Sequence, residues 1–238
     1  MDQTHAGPLI YEESPRWVRV RYAHDTIADS KHPLLAWEKG TYVPFYLFPP
    51  DAVRTDMLRD AGTDDGKRFY DLPGAERAAW SYPDADGIGD HIAFDWHAMD
   101  AWFEEEQEVF VHARDPHKRV DVLESSRHVV VSIEGTVVAD THRPRLVMET
   151  GLPVRYYIPA EDVRTDLMAR TDHHTQCPYK GTASYWSFGD AENVAWYYPD
   201  PIPEQPRLKD LISFFNERVD IEVDGERAER PQTQWSIK

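Results

Sequence analysis

Alternation with a period of two dominates the hydrophobic pattern of this chain. Val18, Val20 and Tyr22 alternate with Arg19 and Arg21, and Val129, Val131 and Ile133 alternate with Val130, Ser132 and Glu134. Such a period puts the apolar set on one face of a strand. The second run meets Glu134-Gly135 and resumes at Val137-Val138-Ala139, the signature of a β-hairpin. Val219, Ile221 and Val223 alternate up to Asp224-Gly225, a dipeptide suited to the positive φ angles of a type I′ turn. Tyr156-Tyr157-Ile158 and Ala195-Trp196-Tyr197-Tyr198 add aromatic strands, stopped by Pro159 and Pro199. Helix is scarce. Pro49–Arg59 and Pro159–Arg170 are expected to be single short helices, each opening with proline and acids, which suit a helix N-terminus. Their apolar i,i+4 pairs are Val53 with Met57 and Val163 with Leu167. Leu208, Leu211, Ile212 and Phe215 also fit helical spacing. The counterpart of that segment, near Ile92–Phe103, runs into Glu104-Glu105-Glu106, which reads as a solvated face or loop.

The pattern occurs twice. Asp51-Ala-Val-Arg-Thr-Asp-Met-Leu58 answers Glu161-Asp-Val-Arg-Thr-Asp-Leu-Met168, and Tyr46-Leu-Phe-Pro49 answers Tyr156-Tyr-Ile-Pro159. Ile27-Ala-Asp-Ser30 matches Val138-Ala-Asp-Thr141, and Pro33, Glu38 and Gly40 fall on Pro144, Glu149 and Gly151. Ala79-Trp-Ser-Tyr-Pro-Asp84 then answers Ala195-Trp-Tyr-Tyr-Pro-Asp200. Between the last two blocks the second copy holds Thr175-Gln-Cys-Pro-Tyr-Lys-Gly181, where the first has only Thr63-Asp-Asp-Gly-Lys67. A duplication this long is a tandem of domains and not a solenoid, whose repeats are roughly 20–50 residues. The polar stretch Ala113–Arg119 is the natural junction, giving modules 1–115 and 116–238.

Composition narrows the function. With 43 Asp and Glu against 26 Lys and Arg, the net charge of −17 argues against nucleic acid, whose phosphates need a basic footprint. A pocket for an anion would have to be locally basic, so its Lys and Arg should stand out against this background. Cys177 is the only cysteine, which excludes an intrachain disulfide and a cysteine-only metal site. The N-terminus has neither a basic segment nor an apolar run, and no 18-residue apolar stretch occurs, so a soluble cytoplasmic protein without membrane partners is expected.

The second copy resembles a bacterial family called domain of unknown function 427. The resemblance rests on Val138-Ala-Asp-Thr141, Tyr156-Tyr-Ile-Pro159, Asp162-Val163, Cys177-Pro-Tyr-Lys-Gly181 with Ala183, Tyr185 and Trp186, and Ala195-Trp-Tyr-Tyr-Pro199. It spans nearly all of 122–236, and the first copy reads as a degenerate member that lacks the Cys-Pro-Tyr-Lys-Gly core. The resemblance implies a mainly β fold of two tandem β-tent-like modules, short antiparallel sheets leaning over a pocket, each with one or two short helices. It implies no reaction. A nucleotidyltransferase-like label attached to the family finds no support in this chain, which has no Gly-rich phosphate loop and no paired-Asp metal motif.

Cys177 is read first as a small buried residue in a tight turn. As a nucleophile or redox thiol it needs His174 or Lys180 to lower its pKa, and as a metal ligand with His173 and His174 it lacks the four donors of a structural zinc site. Lys180, flanked by Tyr179, Tyr185 and Trp186, either holds an anionic ligand group or lies over the rings as a cation–π contact. Tyr156, Tyr185, Trp186 and Trp196 either line a pocket with Lys180 and Tyr179 or belong to the core. Trp196 and Tyr198 share a strand face, whereas Tyr185 and Trp186 do not. Arg54 and Arg164, before Asp56 and Asp166, and Glu38 and Glu149 recur in both copies and are expected to be structural. Three functions stay open: a small planar or anionic molecule bound in an aromatic pocket that only the second copy has, an enzyme using Cys177, or an interaction scaffold. No metal or cofactor is implied, and neither the ligand nor the oligomeric state follows from the sequence.

Overall fold

Val18, Val20 and Tyr22 are all buried on one side of the strand Val18–Tyr22, and Val129, Val131 and Ile133 on one side of Val129–Ile133. The computed structural model describes residues 3–236. It is mainly β, in several short antiparallel sheets that do not close. Two compact units meet in sequence between Asp115 and Pro116.

The second unit has one seven-stranded sheet, in the order Val120–Glu124, Arg145–Glu149, Arg155–Pro159, Leu211–Phe214, Ala191–Tyr197, Gly181–Phe188, Ala169–Cys177. The first unit repeats that order, with Thr4–Ala6 as an extra edge strand before it: Leu9–Glu13, Leu34–Glu38, Phe45–Leu47, then Ala93–Phe94, Ala75–Ser81, Lys67–Leu72, Arg59–Asp64. It is formally two sheets, but a bridge between Phe48 and Ile92 joins them where Ile158 pairs with Ile212 in the second unit. Each unit adds a small sheet, built on Val18–Tyr22 or Val129–Ile133. One face of the long sheet packs on this small sheet: Ile158, Trp186, Ala195 and Phe214 lie with Val129 and Val131 in one apolar cluster. The other face carries a second cluster of Tyr157, Tyr185, Trp196 and Tyr198.

The turns follow their dipeptides. Asp65-Gly66, Glu134-Gly135 and Asp224-Gly225 all have two positive φ angles, as a type I′ turn requires. In the first unit Ala23 and His24 take the place of Glu134-Gly135, at φ 50° and 70°.

The expected helices are not α-helices. Each of the two segments is a pair of 3-10 turns, Pro50–Ala52 with Thr55–Met57 and Ala160–Asp162 with Thr165–Leu167. Between the turns Val53 and Val163 are extended and form bridges with Ala28 and Ala139. The amides of Arg54 and Arg164 donate to Ile27 and Val138 instead of continuing a helix. A β-branched residue drawn into sheet pairing thus breaks the helical ladder. Leu208 ends a short 3-10 turn, and Leu211–Phe214 is a fully buried strand at the centre of the sheet, where a continuous apolar run mimics helical spacing. The counterpart stretch holds the strands Ala93–Phe94 and Ala101–Glu104 around a single 3-10 turn. Glu104 is not solvated. It is 6% exposed, accepts from Tyr46 Oη at 2.8 Å, and lies 3.5 Å from both Arg16 and Arg114.

Candidate functional site

The Cys-Pro-Tyr-Lys-Gly segment is a hairpin turn. The strand Ala169–Cys177 ends on it, and Gly181 opens the next strand opposite Cys177. The amide of Lys180 closes the turn by donating to the Cys177 carbonyl at 3.3 Å. Gly181 sits at φ 108°, and a Cβ there would lie 3.2 Å from the Asp200 carbonyl oxygen. That close approach is needed because Ile202 donates its amide to the Lys180 carbonyl at 3.1 Å.

The turn directs Lys180 inward, where its ammonium pairs with the carboxylate of Glu149. The two side chains are 11% and 12% exposed, so the pair is buried. Around it stand Cys177, Tyr157 and Tyr198. Tyr157 is fully buried and accepts from Trp196 Nε1 at 2.9 Å. Burial pushes the Tyr157 phenol up to about 12 and the Tyr198 phenol well above its usual value. For Lys180, burial opposes the charge, but the neighbouring Cys177, Tyr157 and Glu149 acids outweigh it and raise the pKa. Lys180 does hold an anion, and that anion belongs to its own chain. A buried ion pair of this kind contributes little net stability but is costly to break.

The proposed catalytic pair is not assembled. Burial raises the Cys177 thiol more than Lys180 lowers it, so the reactive thiolate is suppressed. His174 is three residues away on the same strand, hence on its opposite face. Its Nδ1 is 3.2 Å from Ser184 Oγ. His173 shares the face of Cys177 and packs on the Tyr185 ring at 4.7 Å, where Thr175 Oγ1 and Tyr185 Oη lie 2.7 Å apart. No group of three or more His, Cys, Asp or Glu among the described residues could hold a metal.

The aromatic set divides between the two faces. Tyr185 and Trp196 are on the side of Lys180, while Trp186 and Tyr156 belong to the cluster on the small-sheet side. They cannot line one pocket with Lys180, because Tyr185 and Trp186 are consecutive on one strand. Tyr179 is half-buried in the turn.

The first unit builds the same centre from a different position. Lys67 pairs with Glu38, the repeat counterpart of Glu149, and Tyr82, the counterpart of Tyr198, donates its hydroxyl to the same carboxylate. The Lys67 ammonium is 5.7 Å and 5.6 Å from the ring centroids of Trp80 and Tyr82. Burial would raise the Glu38 carboxyl, but the bonds from Lys67 and Tyr82 hold it below its usual value. Leu47 stands where the second unit has Tyr157, so the indole N–H of Trp80 lacks the oxygen that Trp196 finds. It faces the Tyr82 hydroxyl without a well-formed hydrogen bond. Arg54 and Arg164 form matching bidentate pairs with Asp56 and Asp166.

Two concavities lie elsewhere. One of about 820 Å³ in the second unit is lined by the bases Arg143, Arg145 and Lys209, the acids Glu124, Glu161 and Asp210, and by Ser125, Ser126 and His142. The other, of about 950 Å³, lies in the first unit. Neither is lined by Lys180 or Cys177. The sequence reading missed both, and it missed Lys67; the acid–lysine pairing was signalled only by the recurrence of Glu38 and Glu149.

Two units of one antiparallel topology, each with an ammonium–carboxylate pair at the same place, define a tandem duplication of a single mainly β module. That module is the one described as Domain of unknown function (DUF427): the family model matches residues 10–105 and again 121–225, and the chain belongs to this family. The first copy is thus matched along with the second, although it lacks the Cys-Pro-Tyr-Lys-Gly core. A search of curated proteins found no match.

Proposed function

We propose that the protein binds a small anionic molecule in the second unit, at the concavity formed by Ser125, Ser126, His142, Arg143, Arg145 and Lys209. The observation that carries this reading is one cation left over from the ion pairs. The lining is charge-balanced, Arg143, Arg145 and Lys209 against Glu124, Glu161 and Asp210, in a chain of net charge −17, so an anion would be met by the base that no acid already holds. Arg143 is held in place by Glu161 and Asp162, and Arg145 by Glu124. Lys209 makes no ion pair among the described residues and is the cation left to meet a ligand. The His142 ring stacks on His128 at 4.1 Å, which fixes the rim. Two seryl hydroxyls supply neutral donors. The enzyme reading is weaker, since the Cys177 thiol is suppressed and His174 faces away from it. A cytoplasmic setting, without nucleic-acid or membrane partners, goes with this reading and suits a single unpaired cysteine.

The test is calorimetric titration of the full chain with phosphate, citrate and a nucleoside monophosphate, for wild type and Lys209→Met. Because Lys209 is exposed, its removal should weaken the anion that binds by five- to tenfold, about 1 kcal/mol. Equal affinity in the two proteins, or no binding of any anion to wild type, overturns the proposal.

A further inference from the structure

We propose that the first unit carries a separate small-molecule site, a cleft that accepts a planar aromatic ring bearing a cationic amine. The cleft, about 950 Å³, has walls that include Leu58, Tyr70, Ser81 and Ile92. The second unit shows what fills the equivalent place. There Tyr197 stands where the first unit has Ser81, and Trp186 where it has Tyr70. The two rings lie 6.0 Å apart, with the Arg170 guanidinium 4.9 Å from the Trp186 centroid and 5.8 Å from that of Tyr197. In the first unit the cation over the wall is retained by other means: Arg68 lies 5.7 Å from the Tyr70 ring and pairs with Asp60, which occupies the position of Arg170. The phenol of Tyr197 has no counterpart in the first unit. Serine takes its place in the lining of the cleft, where the hydroxyls of Ser81 and Tyr70 lie 3.3 Å apart.

The rim of the cleft selects the ring's substituent. Asp84, Asp86 and Asp90 border it. Their loop is fixed: Ala85, Ile88 and His91 donate their amides to Tyr82, Ala85 and Ile88, and a Cβ on Gly89 would lie 2.6 Å from the Pro83 carbonyl oxygen. Three carboxylates beside a cleft walled by the Tyr70 ring, whose lining cation Arg68 is already paired with Asp60, favour an amine and reject an acid.

Tyramine is the probe, since it joins the missing phenol ring to an ammonium group. Titrated into the full chain and followed by NMR, it should bind saturably, in the millimolar range or tighter for a ligand of about ten heavy atoms. 4-Hydroxyphenylacetate, the same ring with the opposite charge, should bind at least tenfold more weakly. Ser81→Tyr should weaken tyramine at least tenfold while the melting temperature holds, because the second unit already accommodates tyrosine there. Asp84→Asn/Asp86→Asn, on the surface, should weaken tyramine several-fold and leave the neutral alcohol tyrosol unchanged; it decides the matter if Ser81→Tyr does not fold. Lys209→Met should leave tyramine untouched, which separates this site from the anion site. Absence of saturable tyramine binding, equal affinity in Ser81→Tyr, or equal affinity for the acid and the amine overturns the proposal.

Discussion

Lys67 reaches Glu38 from a strand position that in the second unit belongs to Ala183, three residues beyond Lys180. The register shows it: Arg68 pairs with Ser81 and Ser184 with Tyr197, and these pairs are equivalent in the repeat. The two units therefore fill one electrostatic place from two different hairpins, one with a two-residue turn and one with the Cys-Pro-Tyr-Lys-Gly turn. What the module keeps constant is the ammonium beside the carboxylate, not the residue position that supplies it.

Removing the lysine should cost more in the second unit. Lys180→Met leaves Glu149 buried without its partner and is expected to destabilise by about 3 kcal/mol, the low end for an orphaned buried charge. Lys67→Met should cost only about 1 kcal/mol, because that pair is more open, at 23% and 34% exposed. The double change Lys180→Met/Glu149→Gln should recover much of the loss. Urea denaturation of the four proteins checks the order, and equal losses in the two units would contradict it.

Alkali should unfold the second unit. Cys177, Tyr157, Tyr198 and Lys180 all have pKa values raised by folding. A raised value gives stability that is complete below the unfolded pKa, about 8.5 for the thiol and about 10 for the phenols and ammonium, and that is lost as pH climbs through the folded value. For Tyr157, at about 12 in the fold, the contribution is of order 2–3 kcal/mol. Urea midpoints should be level from pH 7 to about pH 8.5 and fall steeply above it. Tyr157→Phe should start lower, since it orphans the Trp196 indole N–H, and should fall less between pH 10 and 12. A wild-type midpoint unchanged at pH 11 would count against the buried arrangement.

Cys177 should be slow to react. It is half-buried and burial raises its pKa, so a disulfide reagent at pH 7.5 should label the native protein at least tenfold more slowly than the urea-unfolded chain. Native labelling as fast as unfolded labelling would restore the catalytic reading.

The first hairpin carries avoidable backbone strain. Ala23 and His24 both hold positive φ where the second unit has Glu134-Gly135. His24→Gly should therefore stabilise by roughly 0.5–1 kcal/mol, measured as a rise in melting temperature. A fall would mean that the imidazole makes contacts worth more than the strain.

The duplication, the β class and the hairpin turns were legible in the sequence because side-chain period and turn dipeptides are local properties. Val53 and Val163 misled because their i,i+4 partners mimic a helix, while their actual partners, Ala28 and Ala139, lie more than twenty residues away. The placement of the candidate residues on the two sheet faces was legible for the same reason. Strand alternation correctly separated Tyr185 from Trp186, and applied to His174 and Cys177 it also separates the proposed dyad. Lys67 stayed hidden because a shorter hairpin moved it out of alignment with Lys180. The cleft of the first unit was hidden too: Ser81 against Tyr197 is a small residue for a large one, and an empty volume leaves no periodic trace.

Gly181 has a further consequence for how the chain meets a protease. Cleavage after Lys180 requires the backbone around that bond to lie extended in an enzyme's groove with the lysine side chain free. Here the residue after the bond is bridged to Pro201, the carbonyl at the bond is already bonded to Ile202, and the lysine is locked on Glu149. Trypsin must lift three anchors at once, so in the native protein the most distinctive turn of the chain should also be among its most digestion-resistant.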